Sequence, residues 1–423
     1  MSTTTGTHFF YKMEYQHIII GGGCAGFQLA KAMLELPKES IRSILIIESS
    51  KVHAPKSWCF WSTNSHPYRH LVEKEWHSLG FKAYHNQKNL PLQHQTYQYI
   101  DSTSFISHHL ALFAKDPRVT IVYQTVSGIE ETENACLVQC ENGAYHSEYV
   151  YNSVPHLQEK PYFKPKVWQH FLGWEITTSE NSFDTEKATL MDFDVDKNED
   201  GRFIYILPFT EKRALVECTV FSTQAYSLES FESSLRTYLK ANYSTDYTIS
   251  KIERGTIPMM PKINAEITKR IIPIGTAAGC IKASTGYSFT RNLEHTTKII
   301  GYLQGNNKRP KYAYSRFTFY DKLLLWIIEN QQSEIKKIFY LLFKNNSIKN
   351  IFMFLDERTS IVQDLRIFYF LPKRTFIKAL IKSKLVDLAP IKFTKKIYLG
   401  SIKTAFTFWQ KNEVVSIQKN IIE

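Results

Sequence analysis

Residues 17–48 constrain the fold more than any other stretch. His17–Ile20 is a short apolar run that reads as a strand, and Gly21-Gly22-Gly23-Cys24-Ala25-Gly26 follows it directly. The next residues, FQLAKAMLEL, carry helical apolar spacing, and Ile44–Ile47 supplies a second strand ending at Glu48. Gly21, Gly23 and Gly26 therefore satisfy G-x-G-x-x-G between a strand and a helix, with an acidic residue following the second strand. The first glycine permits a tight turn. The second lets the backbone, with Cys24 and Ala25, approach a pyrophosphate, and the third lets helix pack on strand. Glu48 is placed to accept from a ribose hydroxyl. A glycine loop without a ligand is the alternative reading, and the complete βαβ setting weighs against it.

Fingerprint and carboxylate together favour an adenosine with free ribose hydroxyls, as in FAD or NAD. A nicotinamide dehydrogenase would use this unit as its main site, whereas a flavoprotein adds a second cofactor segment far along the chain. Ile271–Arg291 (IIPIGTAAGCIKASTGYSFTR) has that form. Ile271–Ile274 reads as a strand, and Gly275, Thr276 and Gly279 as a small-residue turn. Thr285, Gly286 and Tyr287 lead a helix running to about Leu303. A helix N-terminus facing such a turn suits phosphate or an electron-rich ring. By itself the segment also describes an ordinary strand–turn–helix corner. With the fingerprint, FAD is the expected cofactor.

The expected fold class is α/β: a Rossmann-like FAD-binding domain with a parallel sheet, an inserted, mainly antiparallel β substrate domain, and a C-terminal helical region. The boundaries expected are a flexible 1–14, a discontinuous FAD-binding part at 15–160 and 262–305, a β-sheet part at 161–261, and a basic helical part at 306–423. Within the first part, Ser104–Phe113 reads as a helix, Val119–Tyr123 as a strand, and Ala135–Cys140 with Glu148–Ser153 as a hairpin. From Val167 the texture becomes a succession of strands, with a turn at Asn198–Gly201. Ser227–Tyr243 reads as an amphipathic helix.

In the strand Ala214–Phe221, alternation puts Leu215, Glu217 and Thr219 on one face, and Val216, Cys218 and Val220 on the other. Glu217 is either a carboxylate in an apolar cavity, where burial would raise its pKa, or part of a solvated sheet face. Ser57–Ser62 (SWCFWS) is either a core cluster or a wall beside cofactor and substrate.

Charge is unevenly spread. Residues 301–423 hold 22 Lys+Arg against 9 Asp+Glu, which leaves 30 against 31 in residues 1–300. The last third is thus a candidate for an anionic surface. Its aromatic and aliphatic blocks (LLLWII, IFYLLF, IFMFL, IFYFL) fit an inward-packed helical cap, or faces resting on a bilayer interface with lysines at the headgroups. No apolar run is long enough to span a bilayer, and the N-terminus lacks the apolar core of a signal peptide. Six cysteines without metal-ligand spacing argue against zinc or a disulfide scaffold, and a reducing cytoplasm is expected.

These residues resemble the lycopene β-cyclases, the bacterial flavoprotein type of carotenoid cyclase. The match runs from GGGCAGFQLA through WQHFLGWE, LMDFDV, FIYILPF and LVECT to GTAAGCIKASTGYSFTR, and on to Phe354–Glu357 and Leu371–Pro372. The resemblance implies FAD on Gly21, Gly23, Gly26 and Glu48. It implies two catalytic residues, an acid/base at Glu217 from the E-(E/D)-T motif and the Asp of an M-D motif at Asp192, and a second flavin segment at Ala283–Tyr287. Two positions depart from the pattern. Cys218 stands where a second acidic residue is usual, and Ala283 where Pro is usual.

The implied reaction is an isomerisation. A proton adds to a terminal double bond of lycopene or another acyclic carotene, a tertiary cation forms, the neighbouring double bond closes the ring, and a proton leaves. The site then needs a protonated acid, Glu217, and electron density beside the cation, from reduced flavin or the Trp58–Trp61 aromatics. NAD(P)H would serve only as reductant of the flavin. The implied setting is cytoplasmic and peripheral to a lipid bilayer, beside other carotenoid-pathway enzymes and without nucleic acid. A flavin-dependent isoprenoid reductase or monooxygenase, or a carotenoid carrier, would keep the same glycines without needing Glu217.

Overall fold

The computed structural model describes residues 13–63, 65–157, 165–195, 200–243, 246–260, 268–306, 308–310 and 315–383. Residues 1–12 of the expected flexible N-terminus, part of the Asn198–Gly201 turn and the basic tail beyond 383 lie outside them. Met13 and Glu14, expected to be flexible, already belong to the first strand.

The chain opens as β1 (Met13–Ile20), α1 (Cys24–Leu34) and β2 (Ile44–Glu48). Five short strands follow: β3 (Ser57–Ser62), β4 (Lys74–Trp76), β5 (Ser78–Ala83), β6 (Asn86–Pro91) and β7 (Thr96–Asp101). Then come α2 (Ser102–Phe113), β8 (Val119–Tyr123), β9 (Val126–Glu131), β10 (Cys136–Cys140) and β11 (Gly143–Asn152). Asp101 starts α2 two residues earlier than its apolar spacing suggests, by accepting from the Thr103 and Ser104 amides.

The first sheet has the order β8-β2-β1-β11, and its four strands run parallel. The hairpin β9-β10 continues it along part of β11, and the rest of that edge takes β17 (Ile271–Pro273), again parallel. Parallel strands are buried on both faces, so they read as unbroken apolar runs. Ile19, Ile44 and Ile46 pack with Phe27, Leu29 and Met33 of α1 on one side. Ile18, Ile20, Leu45 and Ile47 pack with Val138 and Val150 on the other.

The second sheet uses β12 (Val167–Thr178), β13 (Lys187–Asp192), β14 (Phe203–Pro208), β15 (Arg213–Ser222) and β16 (Tyr247–Met259). Its order is β16-β12-β15-β14-β13-β5-β6, antiparallel except where β13 meets β5. The expected boundary at residue 161 therefore misses part of it: β5 and β6 come from the segment assigned to the cofactor half. Their short polar-rich sequence carries no mark of a partner strand a hundred residues away. One face of this sheet is covered by α3 (Leu228–Asn242), with Phe231, Leu235 and Leu239 set against Trp174, Val216, Cys218 and Val220. The other face borders the cavity described below.

After β17, α4 (Phe289–Leu303) packs on α1. The helices α5 (Arg316–Asn330), α6 (Ile335–Asn345), α7 (Ile348–Leu355), α8 (Ile361–Tyr369) and α9 (Lys373–Lys382) follow. Phe343 of α6 stacks on Phe81 of β5 at 4.5 Å, and Lys88 of β6 caps the end of α6 by donating to the Phe343 carbonyl at 2.6 Å. Among the described residues, those from 13 to 376 form one compact unit, and 377–383 fall outside it.

Candidate active site

A cavity of about 720 Å³ lies between the glycine turns, the open face of the second sheet, and α6 and α7. Gly23, Cys24, Ala25 and Gly26 border it, as do Gly275, Thr276, Thr285, Gly286 and Tyr287, although some 250 residues separate the two groups. Gly21 and Gly279 stand behind as frame. Both have positive φ (102° and 65°), Gly21 donating to the Ile47 carbonyl and Gly279 to that of Thr276. Glu48 lies outside the lining, at the end of β2, where its carboxylate accepts from the Gly22 amide at 2.6 Å.

The cradle has the shape a dinucleotide requires. A Cβ at Gly26 would collide with the Gly21 carbonyl, whereas one at Gly23 would meet no atom of the described residues within 4 Å. Neither α1 nor α4 has its N-terminus closed by a capping side chain, so free amides of both helices are available at the cavity. Thr285 Oγ1, Gln169 Oε1 and Asn292 Oδ1 are buried at this wall without a partner among the described residues. Such atoms fit a polar ligand edge.

The sheet face opposite α3 supplies the floor, because side chains paired across antiparallel strands point the same way. Tyr205, Glu217, Gly173 and Glu253 form one row across β14, β15, β12 and β16. Phe203, Thr219, Phe171 and Gly255 form the next, and Phe171 lies over the bare backbone of Gly255. Leu215, Glu217 and Thr219 thus share the cavity face, as the alternation of the strand predicts.

Burial raises the Glu217 carboxyl, and with the neighbouring Glu253 charge brings it to about 8; the Thr219 hydroxyl, donating at 2.7 Å, opposes this. Burial also pushes Glu253 upward, against two donors from Ser57: the amide at 2.8 Å and the hydroxyl at 2.6 Å. Beside Glu217, the Tyr97 hydroxyl lies 2.8 Å from both the Tyr205 and Tyr287 hydroxyls. Burial raises all three phenols, so they stay neutral. SWCFWS serves both of its readings. Ser57, Trp58, Cys59 and Trp61 border the cavity, Trp58 also packs against the core, and Phe60 stacks on Phe289 in that core at 4.5 Å.

With this geometry in view, the chain matches the sequence profile described as lycopene cyclase protein over residues 17–381. The chain belongs to the lycopene cyclase family. No curated protein matches it significantly. Among solved structures it is similar to a geranylgeranyl bacteriochlorophyll reductase-like protein from Thermoplasma acidophilum. That pair has 12% identity and a TM-score of 0.57, over 89% of this chain and 100% of the other. It is also similar to the halogenase PltM in complex with phloroglucinol and FAD (11% identity, TM-score 0.54, 86% of each chain). PqsL of Pseudomonas aeruginosa in complex with 2-aminobenzoylacetate gives 12% and 0.54, over 77% of this chain and 100% of the other. Identities this low establish a shared fold, and the expected α/β flavoprotein architecture stands.

Two family positions land away from the cavity. Asp192 of the M-D motif is buried on the α3 side, where it accepts from the Tyr238 hydroxyl at 2.7 Å and lies 3.5 Å from Lys82 Nζ. The sheet separates it from Glu217, and its contacts tie α3 to β13. An irregularity in strand pairing after Thr189 shifts its register, which alternation alone does not reveal. Cys218 also faces α3 and is fully buried. An acidic residue there would point away from Glu217, so its replacement leaves the cavity's carboxylates untouched. The second carboxylate is Glu253, which the sequence reading passed over. Alternation aligns it with Gly255 and Ile257, but nothing local marks β16 as the neighbour of β12.

Proposed function

We propose that this protein is a lycopene β-cyclase that closes the acyclic end groups of lycopene into β rings, by way of γ-carotene to β-carotene, without net redox change. The observation carrying this reading is Glu217, a carboxylic acid set in an aromatic cavity and held protonated near neutrality by burial. Gly21, Gly23, Cys24, Ala25, Gly26 and Glu48 would hold the adenosine and pyrophosphate of FAD. Gly275, Thr276, Gly279, Thr285, Gly286 and Tyr287 would hold its flavin end. Reduced FAD, when bound, supplies electron density beside a transient cation, with NAD(P)H as its source of electrons.

The chain's own residues do the remaining work. Glu217 delivers a proton to the terminal double bond of the end group. Trp61, Tyr287 and Phe352 present aromatic faces to the resulting cation and exclude water from it. Asp192 supports the sheet on which Glu217 stands. A substrate this apolar resides in lipid, and α8 with its surroundings would rest on the membrane surface. No helix among the described residues is long and apolar enough to cross a membrane.

The test is product mass. Purified protein is incubated anaerobically with lycopene in liposomes, FAD and NADPH, in light and heavy water. Unchanged mass in light water with solvent deuterium incorporated in heavy water is the expected result. Gain of two hydrogens would replace the reading with a reductase, and oxygen incorporation on admitting air with a monooxygenase.

A further inference from the structure

Gly173 of β12 pairs with Glu217 of β15 on one side and with Glu253 of β16 on the other. The two glutamates therefore point to the same face with a bare glycine between them. At a strand spacing of roughly 4.8 Å their backbones stand roughly 9.6 Å apart. The glycine is needed for this packing: a Cβ at Gly173 would come within 3.0 Å of Leu215 Cδ1 and 3.4 Å of Glu217 Cβ, so Leu215 and the Glu217 stem close over its bare backbone. Glu253 is buried, 4% exposed, and borders the same cavity as Glu217.

Two buried carboxylates bordering one low-dielectric cavity do not readily ionise together. Their donors differ. Ser57 gives Glu253 an amide and a hydroxyl hydrogen bond, whereas among the described residues Glu217 receives the Thr219 hydroxyl alone. The negative charge therefore settles on Glu253 and the proton on Glu217.

Ring closure needs both forms. One C–H bond is made when the terminal double bond takes its proton, one C–C bond closes the ring, and one C–H bond breaks beside the ring cation. Three carbons flank that cation: the ring carbon just joined, the ring carbon opposite it, and the attached methyl. Which of them loses the proton fixes the position of the ring double bond. We propose that Glu253 is the base that removes this proton, and that its placement across Gly173 from Glu217 selects the β ring. Glu217 ends the cycle deprotonated and Glu253 protonated. Return of that proton through water in the emptied cavity restores both, and no electrons are exchanged. This rests on the cyclase reading above and assigns its second catalytic residue.

The test uses the full chain with FAD in lycopene liposomes in heavy water, with flavin absorbance as the check on folding. Glu217→Gln should form no ring and incorporate no deuterium. Glu253→Gln should lower β-ring formation roughly 10²–10⁴-fold, the range of a lost general base. Its residual product should still carry deuterium, but with the ring double bond displaced or the cation captured by water as an alcohol. Glu253→Asp, which keeps the charge, should recover part of the rate with the β ring restored. Glu253→Gln making the β ring at the wild-type rate would overturn the inference while leaving the cyclase reading intact. Should Glu253→Gln lose its flavin, Gly173→Ala decides. It keeps both carboxylates and sets a methyl against Leu215 and the Glu217 stem, shifting Glu217 relative to Glu253, and an unchanged rate and ring type there would equally overturn the inference. Wild-type protein that forms no ring at all would overturn the cyclase reading instead.

Discussion

Trp61 of β3 stacks on Phe352 of α7 with ring centroids 4.2 Å apart and planes 9° from parallel. The indole N–H is held by the Asp356 carboxylate at 3.0 Å, and the indole meets the Tyr287 ring at a steep angle. One side chain thus joins β3, the turn before α4 and the C-terminal helices at the cavity wall. Phe352→Ala should cost about 3–5 kcal/mol of stability, the usual range for an emptied aromatic site. Cyclisation should fall because water gains access to the cation. Urea unfolding and an assay for hydroxylated by-products check the two effects.

Glu217 makes stability depend on pH in a definite direction. Its carboxyl is raised from 4.5 to about 8, so between those values the folded chain keeps a proton that the unfolded chain releases. Burying it costs nothing in ionisation below pH 4.5 and destabilises progressively as pH rises to about 8. Glu217→Gln should therefore gain in urea midpoint relative to wild type across that window and hold the difference above it. Wild-type activity should decline as pH passes about 8, where the acid is lost.

Gly23 and Gly26 should fail for different reasons. A methyl at Gly26 strikes the Gly21 carbonyl, so Gly26→Ala should lower both melting temperature and flavin content. A methyl at Gly23 meets no atom of the described residues and would stand only in the space left for a ligand. Gly23→Ala should melt like the wild-type apoprotein yet purify with little flavin.

Lys282 is buried, with its ammonium 2.8 Å from Asp321 and 3.2 Å from Glu357, which also pairs with Arg291 at 3.1 Å. This cluster ties the 283–287 segment to α5 and to the turn after α7. Lys282→Met would strand buried carboxylate charge and should cost about 3–5 kcal/mol. Lys282→Met with Asp321→Leu should recover part of it, as measured by a double-mutant cycle in urea.

The exposed side of α8 is apolar: Val362, Leu365 and Tyr369 are 62%, 57% and 53% exposed, with Arg366 beside them and Arg374 following in α9. Val362→Glu with Leu365→Glu should weaken binding to anionic liposomes about tenfold or more, and raised salt should weaken wild-type binding less steeply than these changes do.

Much of this protein is written locally. Strand, glycine turn, helix and acidic residue occur within 32 positions, and short-range sterics force that unit whatever surrounds it. The strand, small-residue turn and helix between Ile271 and Leu303 are legible for the same reason, and so is the side of β15 that carries Glu217, since a two-residue period needs no partner to be read. Tertiary structure decided what periods cannot encode. It set β5 and β6 in the second sheet, turned Asp192 away through a pairing irregularity, and put Glu253 opposite Glu217 across Gly173. Strand order and register follow from which faces bury together over separations of tens to hundreds of residues. A carboxylate's chemistry follows in turn from what that packing leaves around it.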